Sequence, residues 1–245
     1  MTVRARPNLS RRDVLKVAGA LTVVPLTARV AVAADSAKLK IGIIGSGHVG
    51  SALGGAWART GHEVMFSSRN LDSDKKLAAQ VGPHAKAGSP AEAAAFGQVL
   101  LFAVPYSAFP ELIKSMGNSL KGKLVINASN PFPQRDGEIA DQARTKGAGA
   151  FDVQLLPGAH VVRAFNAVGA ARMASAHEEP GKIGMPLAGD DKKALDLASE
   201  LIREVGFEPV VVGGPEMGQY LMPGTALAGE HTAAEIRSIA ATLKH

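Results

Sequence analysis

The chain has 245 residues, 46% hydrophobic and 20% charged, enough for a self-supporting core and unlike a disordered tail or a membrane bundle. It contains no cysteine, which excludes a disulfide framework, a thiolate nucleophile and any cysteine-held zinc or iron–sulfur centre. The net charge of +5 would suit a nucleic-acid partner, but residues 1–33 carry all of it, with Arg4, Arg6, Arg11, Arg12, Lys16 and Arg29 against Asp13, so none is expected.

Residues 1–33 read as a cleavable export signal: a basic start, an apolar stretch over 17–24, and Ala31-Val32-Ala33 as a small-x-small cleavage site. The apolar run is too short to span a bilayer, so the mature form is not expected to be membrane-spanning. Ser10-Arg11-Arg12-Asp13-Val14-Leu15-Lys16 resembles the twin-arginine export signature, with Val14 where that pattern usually has Phe. The resemblance implies a protein handed to the twin-arginine export machinery already folded, with any cofactor loaded, and a periplasmic or other extracytoplasmic location. An amphipathic surface helix or a disordered basic arm is the alternative reading.

Residues 38–245 predict one α/β domain, a Rossmann-like, doubly wound parallel sheet with a short C-terminal helical tail. In chain order, a strand buried on both faces is expected over 39–44, a small-residue helix over 48–60, a strand over 63–67 and a helix over 73–81. Ser89-Pro90-Ala91-Glu92 is a capping box that starts a helix before the apolar strand 99–104. Further strands are expected over 124–128, 161–165, 183–188 and 209–212. A one-faced helix is expected over 194–205, and a last helix from the capping box Thr232-Ala233-Ala234-Glu235. The stretch 131–149, rich in Pro, Gly and charge, reads as a surface loop with one short helix, and as a rim for a site.

The chemistry is concentrated in the first strand-to-helix turn. Gly45-Ser46-Gly47-His48-Val49-Gly50 is a GxGxxG in the position of a dinucleotide fingerprint, after a buried strand and opening a helix. Gly45 would allow the tight turn, Gly47 the approach of a pyrophosphate to bare backbone, and Gly50 close helix–strand packing. An NAD-preferring site places an acid about 20 residues beyond the glycines. Here the second strand ends Phe66-Ser67-Ser68-Arg69-Asn70. Ser67 and Ser68 could bond a 2′-phosphate while Arg69 neutralises it, which favours NADP(H). The histidines show no ligand spacing, so no metal site is expected. Trp57 reads as core, His160 as a packing or turn residue, and Met217 and Met222 as gap-fillers before pocket residues.

Those motifs, with Ala103-Val104-Pro105, Asn127-Ala128-Ser129-Asn130-Pro131 and the stretch Leu156 to Asn166 that contains Val161-Val162-Arg163-Ala164-Phe165-Asn166, occur in the order and spacing of the deazaflavin-dependent NADP oxidoreductases. The same segments resemble the cytosolic NADPH-binding domain of the six-transmembrane metalloreductases. The resemblance implies hydride transfer between NADP(H) and a small-molecule acceptor, a deazaflavin or a flavin such as FMN or FAD. The cofactors would carry the redox chemistry, so no catalytic side chain is expected. Carried over by position, Ser46, His48 and Val49 would line the phosphate turn, and Ser68, Arg69 and Asn70 the 2′-phosphate. Ala103, Val104 and Pro105 would pack against the ribose or nicotinamide, with Asn127, Ser129, Asn130, Phe165 and Asn166 near the hydride-transfer face. The family often has Asp where this chain has Asn127. A homodimer stays open. So does the alternative of an exported NADP(H)-binding sensor or assembly module without turnover. A two-domain dehydrogenase is disfavoured, because only about 30 residues follow the last strand, too few for a second domain.

Overall fold

The computed structural model describes residues 38–243, so the export segment expected in residues 1–33 lies outside the described residues. The chain alternates strands and helices: β1 (Lys40–Ile44), α1 (His48–Arg59), β2 (Glu63–Ser67), α2 (Leu71–Val81), β3 (Ala85–Ala87), α3 (Pro90–Phe96), β4 (Val99–Phe102), α4 (Phe109–Met116) and β5 (Leu124–Asn127). It continues with α5 (Pro133–Asp136), α6 (Glu138–Lys146), α7 (Ala148–Leu155), β6 (His160–Ala164), α8 (Ala170–Ser175), β7 (Gly184–Ala188), α9 (Lys192–Val205), β8 (Glu208–Gly213) and α10 (Ala233–Ala240). The strands form one sheet in the order β3-β2-β1-β4-β5-β6-β7-β8.

Alternation along the strands puts helices on both faces. On β4, Val99 and Leu101 join the cluster that α1, α8 and α9 cover, while Leu100 and Phe102 join the one that α3, α4 and α7 cover. The doubly wound reading therefore holds, and Trp57 is fully buried with its indole N–H donating to the Leu201 carbonyl at 2.9 Å. Both capping boxes form, at Ser89 with Glu92 and at Thr232 with Glu235.

Three features differ from expectation. β3 was not anticipated: Ala85-Lys86-Ala87 has no β-branched residue and no buried one, and is a strand because β2 offers it a free edge. β7 runs antiparallel to β6 and pairs with it only at Arg163–Ala188 and Ala164–Leu187. Pro186 lies next along β7, and it has no N–H to extend the ladder. The expected loop over 131–149 is instead three short helices, α5, α6 and the start of α7. Gly137 and Gly147, with φ of 61° and 81°, separate them.

At the far end of the sheet, buried His62 accepts the Leu39 N–H on Nδ1 at 3.0 Å and meets Glu204 of α9 through Nε2 at 2.6 Å. Burial alone would raise the Glu204 pKa, but the bonds from His62 and Thr60 and the charge of Lys38 hold it below the ordinary range. A carboxyl depressed in the folded state stabilises it above the unfolded pKa, and that stability disappears as pH falls through the folded value. Urea unfolding between about pH 3 and about pH 7 should therefore show Glu204→Gln less stable at neutral pH and with a flatter loss below about pH 4.3. An unchanged acid limb would refute this.

Candidate functional site

The glycine turn follows β1. Gly45 has φ 101°, and a Cβ there would stand 2.5 Å from the Ala103 carbonyl and 2.6 Å from Val104 Cγ1, so the segment after β4 lies directly on the turn. The N–H groups of Gly45 and Ser46 donate to the Ser67 carbonyl at 2.9 and 3.1 Å. A Cβ on Gly50 would come 2.0 Å from the Gly45 carbonyl, so helix and turn need glycine to pack this closely.

Gly47 is different. Its φ of −66° suits any residue, and a Cβ would meet nothing within 4 Å. No internal packing explains a glycine there, and the space it leaves open lies at the amino end of α1. The first bond of that helix runs from the Ser51 N–H to the Gly47 carbonyl, which leaves the N–H groups of residues 47–50 without helical partners. No acid or side-chain cap occupies this end. It offers donors and a partial positive charge to an anion. His48 begins α1 and is exposed, and with Ser51, Ala52, Ala170, Ala171 and Ala174 it lines an open groove between α1 and α8.

β2 delivers the next residues. The Ser67 hydroxyl donates to the Ile43 carbonyl at 2.6 Å, so Ser67, expected as a phosphate ligand, instead ties β2 to β1. Ser68 is half-buried and Arg69 exposed. Among the described residues no hydrogen bond or ion pair engages the Arg69 guanidinium. Asn70 caps α2, its side chain accepting the Ser73 N–H at 3.1 Å. Asp74, in the first turn of α2 and buried, accepts hydroxyl hydrogen bonds from both Ser46 and Ser68.

The ends of β4, β5 and β6 are laced together. The Val104 N–H donates to the Ser129 hydroxyl at 3.2 Å and the Ser129 N–H to Asn127 Oδ1 at 2.9 Å. Asn130 Nδ2 reaches the Asn166 carbonyl at 3.0 Å, and Asn166 Nδ2 reaches the Ser129 carbonyl at 2.9 Å. Asn127 and Ser129 are thus buried supports, and Pro105 leads into a turn that carries Tyr106. Phe165 has φ 66°, and its ring sits edge-on to Trp57 and Phe207 in the core. Its expected role at the cofactor is therefore not one for its ring. The left-handed turn at Phe165 brings Asn166 to the site with Oδ1 buried and without a partner among the described residues. Among the described residues Asn127 Nδ2 has no hydrogen-bond partner, and its side chain lies beside Asp152, whose pKa burial pushes up against the opposing pull of Arg163, Tyr106 and Asn127.

Beneath these asparagines lies a buried ionic network that sequence reasoning missed. Arg163, 1% exposed, gives Nη1 to Asp152 at 2.8 Å and to the Tyr106 hydroxyl at 2.9 Å, Nη2 to Asn130 Oδ1 at 3.2 Å and Nε to the Gly218 carbonyl at 3.1 Å. Tyr106 donates to Asp152 at 2.5 Å. Burial pushes the Tyr106 phenol up, so it stays neutral. Burial opposes the charge on Arg163, but the groups around it outweigh that effect and raise its pKa. An arginine inside an otherwise apolar strand was the available signal, since such a charge must be paired. On the rim, buried Asp136 gathers the Phe132 N–H, the Ser107 hydroxyl and Arg135. Burial would raise its pKa, but those bonds lower it. His160 pairs at the surface with Asp191 at 3.3 Å, and Met217 and Met222 are packed in the core.

The motif segments thus meet at the carboxyl ends of β1, β2, β4, β5 and β6, and the sheet reverses its strand order between β1 and β4, the crevice where such folds bind nucleotides. Among the described residues no group of three or more His, Asp or Glu could hold a metal, and no helix is long and apolar enough to cross a membrane.

Residues 40–131 match the family model described as NADP oxidoreductase coenzyme F420-dependent. The chain is 28% identical over 205 residues to the F420-dependent NADP reductase of Methanothermobacter marburgensis, covering 77% of this chain and 90% of that protein. It is 29% identical over 174 residues to the metalloreductase STEAP3 of Rattus norvegicus, covering 71% of this chain but only 34% of that protein's length. Among solved structures, the hypothetical protein SMa0349 of Sinorhizobium meliloti superposes with a TM-score of 0.68 at 27% identity, covering 80% of this chain and 95% of that one. The resemblance read from the motifs is therefore shown: the chain is similar to the coenzyme F420-dependent NADP oxidoreductases, with the match to their family model carried by residues 40–131.

Proposed function

We propose that this domain is an NADP(H)-dependent oxidoreductase that moves hydride between NADP(H) and a deazaflavin or flavin-type acceptor. The observation that carries the reading is Arg69, an exposed guanidinium without a partner among the described residues, beside Ser68 at the end of β2. An unpaired arginine at that position suits the 2′-phosphate that distinguishes NADP(H) from NAD(H).

The other residues fit the same ligand. The free N–H groups at the start of α1 would hold the pyrophosphate over Gly47. The unpartnered Asn166 Oδ1 offers an acceptor for an amide N–H, and a nicotinamide carboxamide has one. Bound NADP(H) would supply the hydride chemistry, leaving the chain to bind, orient and exclude water. Arg163, through Asn130, keeps the ends of β5 and β6 fixed while it does so.

Two measurements on the full chain test this. Arg69→Glu should lower NADPH affinity about 100-fold and NADH affinity less than about threefold, because the introduced carboxylate repels only the nucleotide with the extra phosphate. Equal losses would overturn the phosphate assignment. Separately, NADPH-loaded protein should be oxidised above the protein-free rate by a deazaflavin or a riboflavin derivative. Failure with both, and with a ferric chelate, would favour the sensor or assembly reading.

A further inference from the structure

Asp74 is 1% exposed and both its carboxylate oxygens accept the Ser68 hydroxyl at 2.9 Å, while one also accepts the Ser46 hydroxyl. Ser68 Oγ in turn accepts the Asn70 N–H at 3.1 Å. A hydroxyl has one hydrogen and two lone pairs. On Ser68 the hydrogen goes to Asp74 and one lone pair to Asn70, so what remains for a ligand is a single acceptor site. The Ser46 hydroxyl is likewise turned away from any ligand as a donor.

This polarity does not suit a phosphate dianion, whose oxygens only accept. It suits a ribose hydroxyl, which has a hydrogen to give. Two opposed elements therefore stand side by side at the end of β2, Arg69 suited to a phosphate and the Asp74–Ser68 pair suited to a hydroxyl. We propose that Asp74 is a positioning residue that, by fixing the Ser68 hydroxyl, lets this site accept a 2′-hydroxyl as well as a 2′-phosphate, so that the domain binds NAD(H) alongside NADP(H). The inference rests on the nucleotide-binding reading above and refines its specificity. Arg69 carries the phosphate mode and Asp74, through Ser68, the hydroxyl mode. Asn at position 74 would keep the shape, remove a negative charge from behind the serines and release a hydroxyl hydrogen toward the ligand.

Calorimetric titration of the full chain with NADPH and with NADH tests this. The wild type should bind NADH no more than about 30-fold more weakly than NADPH, and Asp74→Asn should raise the NADPH:NADH affinity ratio at least about fivefold. Ser68→Ala should lower NADH affinity at least about fivefold more than NADPH affinity. Should Asp74→Asn fail to fold by circular dichroism, the Ser68→Ala ratio decides. A role for Asp74 in stability alone would weaken both nucleotides equally and leave the ratios unchanged, which overturns the proposal. A wild type that binds NADPH but shows no heat with NADH overturns it while sparing the NADP(H) reading. No heat with either nucleotide overturns both.

Discussion

Gly47→Asp should leave the fold at least as stable as the wild type and abolish dinucleotide binding. Gly47 is the N-cap of α1, with extended backbone and open space where a side chain would go. Aspartate is among the preferred N-caps and would add negative charge at the positive end of the helix dipole, a gain of about 0.5–1 kcal/mol. The same carboxylate would take the N–H groups of residues 48–50 and place bulk and charge where a pyrophosphate must lie, so affinity should fall more than about 100-fold. Stability and binding thus move in opposite directions, which a defect in folding cannot imitate. Gly50→Ala is the contrasting control. Its methyl would stand 2.0 Å from the Gly45 carbonyl and 2.9 Å from Ile43 Cγ2, and overpacking of this kind costs about 1–3 kcal/mol. Urea unfolding and calorimetric titration of the two variants give the comparison. If Gly47→Asp retains full affinity for NADPH, the glycine turn is not a nucleotide cradle.

The residues legible in the sequence were those whose role is local. The turn at 45–50 is readable because a buried strand, a glycine pattern and a helix start follow one another in a dozen residues. Ser89 and Thr232 are readable because a capping box closes over three positions. What escaped depends on distant partners. Ser67 looked like a ligand because its hydroxyl bond to Ile43 spans 24 residues. Phe165 did also, because the core partners Trp57 and Phe207 that take its ring are on other elements. Asp74 lies 28 residues from Ser46, and nothing in the periodicity of α2 marks one acid of its first turn as buried and the other, Asp72, as exposed. The helices over 133–155 were hidden for another reason. Gly137 and Gly147 break them into segments too short for an amphipathic period to register.

The largest loss of stability should follow Asp152→Ala. The substitution leaves Arg163, 1% exposed, and Tyr106, fully buried, without the carboxylate that both address. An uncompensated charge in the interior costs about 3–5 kcal/mol, against a total of about 5–15 kcal/mol for a domain of ordinary stability. The damage should also reach the site, because the Arg163 guanidinium that loses Asp152 is the one that holds Asn130, and Asn130 holds the backbone of Asn166. Removing both charges distinguishes the cost of an orphaned arginine from the worth of the pair. Replacing a buried ion pair by apolar groups of similar volume is often neutral, so Asp152→Ala with Arg163→Met should be more stable than Asp152→Ala alone. The double variant should nevertheless bind NADPH more weakly than the wild type, since no guanidinium then positions Asn130. Urea unfolding of the three proteins, with calorimetric titration of the double variant, reads both effects. A loss below about 1 kcal/mol in the single variant would mean that the interior accommodates a lone guanidinium by admitting water, and a double variant with undiminished affinity would show that the asparagines keep their place without Arg163.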